Sequence, residues 1–402
     1  MATIRIKVQN VPPLKAGHPW VFAQAIDRID GDPAPGSVVD VMDPGGGFIG
    51  RGFYSKGSSI PIRLLVSRHD QPLDSDLIRR RVAQARQLRR DLGLPSDRTT
   101  GYRLVNAEGD GLAGLTVDVY GEALVLRFHT LGMAHRADTV CDVLAELMKP
   151  RAIYEARGDE SQAREGLTPR GGLLRGKGEE LWTFRENGLE LTAELPGGQK
   201  TGFFFDQREN RARVAEVAAG RRVLDLYCYT GAFALTAARA GASEVVGVDS
   251  SAVALLAADQ HRARNGLKTQ IKFIRADARK VLGDIQQKQK GSLGLGALFD
   301  LVVLDPPKLM TSRSSSDQAR KAYRWINGAA IRSLNPGGLL ASCCCSGRMS
   351  TTEFLHIIGH ASRDAQRSTT VLEVRGAGPD HPFPPAFDPG RYLKFVLLKV
   401  ES

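Results

Sequence analysis

From Arg221 onward the chain is written in short apolar runs that close on aspartates: Asp225 in VLDLY, Asp249 in EVVGVD, Asp277 in IKFIRAD and Asp305 in LVVLDPP. Successive aspartates stand 24, 28 and 28 residues apart, the length of one strand, one helix and their turns. Continuous apolar runs alternating with helical text predict a parallel sheet covered on both faces. In such sheets ligands lie at the carboxyl ends of the strands, near the point where strand order reverses. The four aspartates therefore mark a site as well as a fold. GLLASCCCS supplies a fifth strand, and TVLEVR and YLKFVLLKV add two more after a helix near 352–366.

The first half reads differently. IRIKV, SVVDVMD, GFIGRGFYS and IPIRLLV are β-type runs broken by Pro-Pro, Asp-Pro, Pro-Gly and Gly-Gly-Gly, which predicts a small β-barrel between Ile4 and about Val66. Residues 75–95 alternate apolar and basic positions at helical spacing, giving a cationic amphipathic helix. An α+β segment follows, with strands expected at 102–106, 115–120, 123–129, 152–156 and 187–193 and a helix over 131–148. LTPRGGLLRGKGEE reads as an exposed loop, and QQKQKGSLGLG near 286–296 as another. The expected division is 1–70, 71–195 and 196–402.

Lys and Arg outnumber Asp and Glu by 55 to 44, so the surface should attract polyanions, nucleic acid first among them; solubility alone would also account for this excess. No apolar stretch reaches the ~18 residues of a membrane span, and MATIRIKVQN lacks the apolar core of a signal peptide. A cytoplasmic protein without a membrane partner is expected. The five cysteines, Cys141, Cys228, Cys343, Cys344 and Cys345, suit neither a disulfide framework nor zinc knuckles, and no metal is expected.

The loop after the first parallel strand, Asp225-Leu-Tyr-Cys-Tyr-Thr-Gly231, lacks the G-x-G-x-x-G that brings backbone N–H groups onto a pyrophosphate. S-adenosylmethionine has no phosphate; it offers an ammonium, a sulfonium, a ribose diol and an adenine, for which carboxylates and close backbone approach are better partners. Asp225 can orient the loop or meet the ammonium, Gly231 allows close approach, Asp249 can accept the ribose hydroxyls and Asp277 the adenine amine. Tyr227, Thr230, Ser250, Ala278 and Asp305 complete the expected cofactor set, together with Gln207 from TGFFFDQREN. Each aspartate taken singly could equally be a helix N-cap.

Asp305-Pro306-Pro307-Lys308 ends the fourth strand, where an amine methyltransferase would place an aromatic residue to stack on its flipped base. Lys308 stands there instead, which turns attention to ring carbon or ring nitrogen. Carbon 5 of a pyrimidine is a poor nucleophile until a thiolate adds at C6. Cys345 in Ser342-Cys343-Cys344-Cys345-Ser346-Gly347 is suited to that attack, since it shares a strand face with Cys343 but lies nearer the open end. The competing reading makes all three cysteines small core residues.

TGFFFDQREN, DLYCYTGAF, DPPK and CSG together resemble the family of large-subunit ribosomal RNA cytosine-C5 methyltransferases, and the resemblance runs over nearly the whole chain. GHPWVF looks like that family's N-terminal PUA domain, RLVNAEGDGLAGLTVD like its central domain, and PDHPF with GRYLKFVLLKV like its C-terminal end. The resemblance implies an α/β fold: a Rossmann-like class I methyltransferase sheet with a PUA β-barrel and a central α+β domain. It further implies S-adenosyl-L-methionine as cofactor, RNA as partner, Cys345 as nucleophile and Asp305 as the acid of the fourth motif. Lys15, His18 and Trp20 of the barrel, Arg79 and Arg80 of the basic helix, and Lys308 are the expected RNA contacts; a homodimer is left open. Other RNA cytosine-C5 methyltransferases often carry a second cysteine after the motif-IV proline, where this chain has Pro307 and Lys308. Base-nitrogen methylation without a thiol, and a non-catalytic RNA-binding or assembly role, are the rival readings.

Overall fold

The computed structural model describes residues 1–158, 162–163, 165–168, 171–195, 202–286, 298–310 and 316–401. The expected loop at 286–296 and Thr201 of TGFFFDQREN lie outside these residues, apart from the backbone of residue 286. Contacts divide the chain into two units, residues 1–205 with 379–390, and residues 206–378 with 391–402. The segment 379–390 is thus an outlying part of the first unit.

The first unit begins with a six-stranded sheet of β1 (Ala2–Ile6), β2 (Trp20–Val21), β3 (Ile26–Asp30), β4 (Val38–Met42), β5 (Phe48–Tyr54) and β6 (Ile62–Val66), in the order β2-β6-β5-β4-β1-β3. Ile4, Ile6, Val21, Val39, Val41 and Ile62 are fully buried in its core. Gly52 is dictated by the pairing of β5 with β6, since a Cβ there would fall 2.2 Å from the Arg63 carbonyl oxygen.

The helix Ser75–Asp91 starts where Asp74 accepts a hydrogen bond from the Leu77 amide, an N-cap that satisfies one orphan donor. Leu77, Ile78, Val82 and Ala85 bury one stripe of it, while Arg79, Arg80 and Arg90 stay exposed and Arg86 is half-buried. It packs with a five-stranded sheet of β7 (Gly101–Asn106), β8 (Leu115–Tyr120), β9 (Ala123–Phe128), β10 (Ala152–Glu155) and β11 (Gly172–Gly176), ordered β11-β10-β9-β8-β7. β11 corrects the expected loop: within LTPRGGLLRGKGEE, residues 172–176 pair antiparallel with β10, Ile153 opposite Arg175. The helix expected over 131–148 is two helices, Leu131–Ala134 and Ala137–Met148. A further hairpin joins β12 (Trp182–Glu186) to β13 (Leu189–Ala193).

The second unit holds a seven-stranded sheet of β14 (Arg222–Leu226), β15 (Glu244–Asp249), β16 (Gln270–Arg275), β17 (Phe299–Leu304), β18 (Leu334–Cys344), β19 (Thr369–Arg375) and β20 (Lys394–Val400). Its order is β16-β15-β14-β17-β18-β20-β19. The first five strands are parallel, and β20 runs antiparallel between β18 and β19. Strand order reverses between β14 and β17, so the carboxyl ends of those strands open the crevice expected of such sheets. One face is sealed by a cluster including Leu224, Val302, Tyr323 and Phe354, and the other by one including Val223, Phe233 and Phe395.

Candidate active site

Asp225 lies within β14 rather than at its tip; it is buried, and its Oδ2 accepts from the Ala234 amide at 2.9 Å, tying strand to following helix. The loop after it is bent by left-handed backbone at Tyr227 (φ 64°), Tyr229 (φ 51°) and Gly231 (φ 78°). Two non-glycine residues in that region within three positions are a local cost that such turns bear at functional sites. Gly231 is required twice over, by its φ and because a Cβ would stand 3.0 Å from both Ala258 and the Phe273 ring. Cys228 is buried beneath the loop, and burial drives its thiol far above the ordinary range. It is a packing residue.

Asp249 spends both oxygens on backbone: Oδ2 accepts from Tyr229 N and Oδ1 from Ser251 N, each at 2.9 Å. Each oxygen keeps a second lone pair. Asp277 accepts from Arg279 N at 2.7 Å and from its guanidinium at 3.1 Å, and the Arg279 bonds hold its carboxyl below the usual value. Tyr227, Asp249, Ser250, Asp277 and Ala278 line one cavity of about 190 Å³, together with Arg279, Pro307, Leu309 and others. Five of the expected cofactor residues therefore share a single space. A larger cavity of about 890 Å³ in the first unit, bordered by Arg86, Arg90, Arg151 and Trp182, contains none of the individually named site residues, although Arg86 and Arg90 belong to the basic helix.

Gln207, expected as a cofactor contact, is held by two side chains of the protein. Buried, it donates from Nε2 to Asp305 Oδ2 at 3.1 Å and accepts from Asn210 Nδ2 at 2.6 Å, while Asn210 also donates to the Gly376 carbonyl. Asp305 is thus oriented by a fixed amide, a part for Asn210 that sequence reasoning missed. Two acceptors around the first loop, Asp225 Oδ1 and Thr230 Oγ1, are buried without a hydrogen-bond partner among the described residues. Buried polar atoms are rarely left so, and a cationic amino-acid group would satisfy both. For Asp225 the open valence has an electrostatic counterpart: burial, chiefly, pushes its carboxyl well above the ordinary value, with Asp305 and Asp249 adding to it.

The three consecutive cysteines separate. Cys343 is buried in the cluster on one face of the sheet and Cys344 in that on the other, with its Sγ 3.7 Å from Met349 Sδ. Burial pushes the Cys343 thiol well up, and Asp305 acts in the same direction. Cys345 follows the last residue of β18, is partly exposed, and sets its Sγ 3.9 Å from the Pro306 carbonyl oxygen of the DPPK turn. It is the one partly accessible thiol of the five. Lys308 is exposed on the same turn.

Of the expected RNA contacts in the first unit, all but Arg80 have partners within the chain. Trp20 donates from Nε1 to Glu108 Oε1 at 2.8 Å, lies 4.7 Å centroid to centroid from Phe387, and is covered by the Arg63 guanidinium. His18 packs on Phe22 and Phe387. Lys15 pairs with Asp43 at 2.9 Å and Arg79 with Glu146, whereas Arg80 is exposed with no ion-pair partner among the described residues. Phe203 and Phe205 pack with Phe184 in the first unit, and Phe205 also meets Tyr120. No helix among the described residues is long and apolar enough to cross a membrane, and no cluster of three potential metal ligands occurs among them.

A doubly covered parallel sheet with an acidic, phosphate-averse crevice and a β-rich N-terminal module defines a class, and known proteins agree with it. Residues 152–399 match the family described as S-adenosylmethionine-dependent methyltransferase, and residues 4–67 match a PUA-like domain. A chain described as a SAM-dependent methyltransferase from Streptococcus mutans has the same fold, with a TM-score of 0.83 at 21% identity over 99% of this chain and 100% of that one. A methyltransferase complexed with SAH superposes with a TM-score of 0.85 at 21% identity and the same coverage. Ribosomal RNA large subunit methyltransferase I of Shewanella denitrificans is 38% identical over 99% of both chains, and that of Photobacterium profundum 38% identical over 96% of both. This chain belongs to the ribosomal RNA large subunit methyltransferase I family.

Proposed function

We propose that the protein methylates carbon 5 of a cytosine in large-subunit ribosomal RNA, with Cys345 as nucleophile. One observation carries the reading: of five cysteines only Cys345 is partly exposed, and it sits at the strand end against the carbonyl of Pro306, one residue from Asp305. When bound, S-adenosylmethionine supplies an electrophilic methyl group. Tyr227, Asp249, Ser250, Asp277 and Ala278 would hold its nucleoside part, and Asp225 and Thr230 its amino-acid end. The Cys345 thiolate adds to C6 of the ring, and the C5–C6 π electrons move so that C5 becomes nucleophilic. The amide of Gln207 holds Oδ2 of Asp305 in place, which suits Asp305 to accept from the exocyclic amine of cytosine and hold the ring in register. After methyl transfer the C5 proton leaves to a base, and the C6–S bond breaks to release Cys345 as thiolate.

RNA recognition falls to residues 1–70 and the exposed basic face of the helix Ser75–Asp91, with residues 71–195 as the central module; the catalytic module, expected over 196–402, is residues 206–378 with 391–402, since 379–390 belongs to the first unit. Such an enzyme works in the cytoplasm, where the ribosome is built. RNA carrying 5-fluorocytosine at the target tests the reading, because fluorine cannot leave as a cation and the adduct persists. Wild type, Cys343→Ala and Cys344→Ala should each form a covalent complex that Cys345→Ala cannot. Methylation by Cys345→Ala would transfer the reading to a ring nitrogen.

A further inference from the structure

Lys394 is a charge where the sequence pattern leaves no room for one. It opens β20, the strand KFVLLKV, pairs with Cys344 across the sheet and is only 2% exposed. Its Nζ donates to the Ser346 carbonyl at 2.7 Å and to the Tyr392 carbonyl at 3.0 Å. No carboxylate forms an ion pair with it among the described residues. A buried ammonium satisfied by two neutral carbonyls is expensive, and Ser346 is the residue next to Cys345.

From this juxtaposition we infer that Lys394 is the counter-ion of the Cys345 thiolate, a positioning residue that acts through the Ser346 peptide and its own charge. The inference rests on Cys345 being the nucleophile. A cation beside a thiol stabilises the thiolate, and a thiolate in turn relieves the cost of burying the cation. Burial draws Lys394 below the ordinary lysine value, whereas the charges of Cys344, Cys345 and, more weakly, Glu353 pull it back up. Of these groups only Cys345 is a partly exposed thiol next to the Ser346 carbonyl that Lys394 holds. Tyr323, from the helix Ser316–Arg332, places its hydroxyl 3.3 Å from Ser346 Oγ and is held neutral by burial. Glu353, on the helix Thr351–Asp364, is already paired with Arg320 at 2.5 Å. Cys344 is buried in the core, and Asp305 on the β17 side opposes a thiolate rather than favouring it.

The test is alkylation of native full-length protein by iodoacetamide across pH, with modification at Cys345 read by mass spectrometry. In wild type the midpoint should fall below the ~8.5 of a free thiol. Lys394→Met should raise it by about one unit, slowing alkylation at pH 7 about tenfold, and Lys394→Arg should restore much of the loss. A folded Lys394→Met with an unchanged midpoint would reduce Lys394 to a turn cap. Should that variant not fold, a wild-type midpoint at or above ~8.5 overturns the inference by itself. A lowered midpoint with no 5-fluorocytosine adduct leaves the ion pair standing and removes the methylation reading. An adduct with an ordinary midpoint does the reverse.

Discussion

The crevice at the carboxyl ends of β14, β15 and β17 and the aromatic seam around Trp20 are both built from the motifs that stand out in the sequence, yet they treat their polar atoms in opposite ways. In the seam most valences are answered internally, Trp20 by Glu108, His18 Nδ1 by the Trp20 amide, and Arg89 by Asp110 and the Asp380 carbonyl, with Arg63 Nε the exception. In the crevice valences are left over, on Asp225, Thr230 and the second lone pairs of Asp249. A motif that closes on itself is there to hold a fold, and one that stays open is there to hold a ligand.

The contrast can be broken by mutation, starting where the expected effect is largest. Arg89 and Asp110 form a buried bidentate pair, 1% and 3% exposed at the side chain. Arg89→Met leaves Asp110 buried without its partner and should cost about 3–5 kcal/mol of stability in denaturant titration, with cofactor affinity in the surviving folded protein unchanged. Loss of cofactor binding in that folded fraction would show that the seam is not merely structural.

Asp249→Ala inverts the pattern. It should weaken S-adenosylmethionine binding by about 1–3 kcal/mol in calorimetry through lost charge-assisted hydrogen bonds. An unaltered affinity would remove Asp249 from the cofactor site.

A smaller and more pointed effect is expected of Asp225→Asn, which keeps an acceptor for the Ala234 amide but carries no charge. The folded protein holds the Asp225 proton more tightly than the unfolded chain. Its contribution is therefore most favourable below the unfolded value near 3.9 and is lost as pH rises toward the folded value. At pH 7 the cofactor-free variant should melt higher than wild type while binding cofactor more weakly, and the difference in melting temperature should shrink on acidification. Equal melting curves at both pH values would mean that the carboxylate already has a partner.

The smallest effect sharpens the assignment of the basic helix. Arg80→Ala should reduce RNA affinity modestly across sequences and lower the slope of log affinity against log salt by about one, with no change in stability. A slope equal to wild type would place the RNA elsewhere.

The parallel sheet was the most legible part of the sequence, because strands covered on both faces are continuous apolar runs and here four of them close on aspartates one strand-helix unit apart. The thiol at the strand end was legible for a related reason: three like residues in a row differ only in where the strand stops, and it stops at Cys344. Other features left weaker marks. β11 is rich in glycine and arginine and follows its register with β10, a tertiary preference that outweighs local composition. β12 did carry a signal, strict alternation of buried Trp182, Phe184 and Glu186 with exposed Thr183 and Arg185. Gln207 can serve any partner with its amide, and only the fold shows it donating to Asp305. Lys394 is one of two lysines in its strand, and that it is the buried one, close to the cysteines, depends on a strand pairing that spans fifty residues of sequence.

The excursion of residues 379–390 has a consequence for biosynthesis. Asp380 accepts from the Arg103 amide at 3.0 Å, the Pro382 carbonyl accepts from Asn106 at 2.8 Å, and Phe387 packs on Trp20. These are contacts to residues made hundreds of positions earlier on the ribosome. The N-terminal unit therefore waits, incomplete, while almost all of the catalytic unit is translated, and its last packing partner arrives between β19 and β20. Vectorial folding, in which a finished first domain precedes the second, is closed to this chain: the early unit can be completed only by the tail.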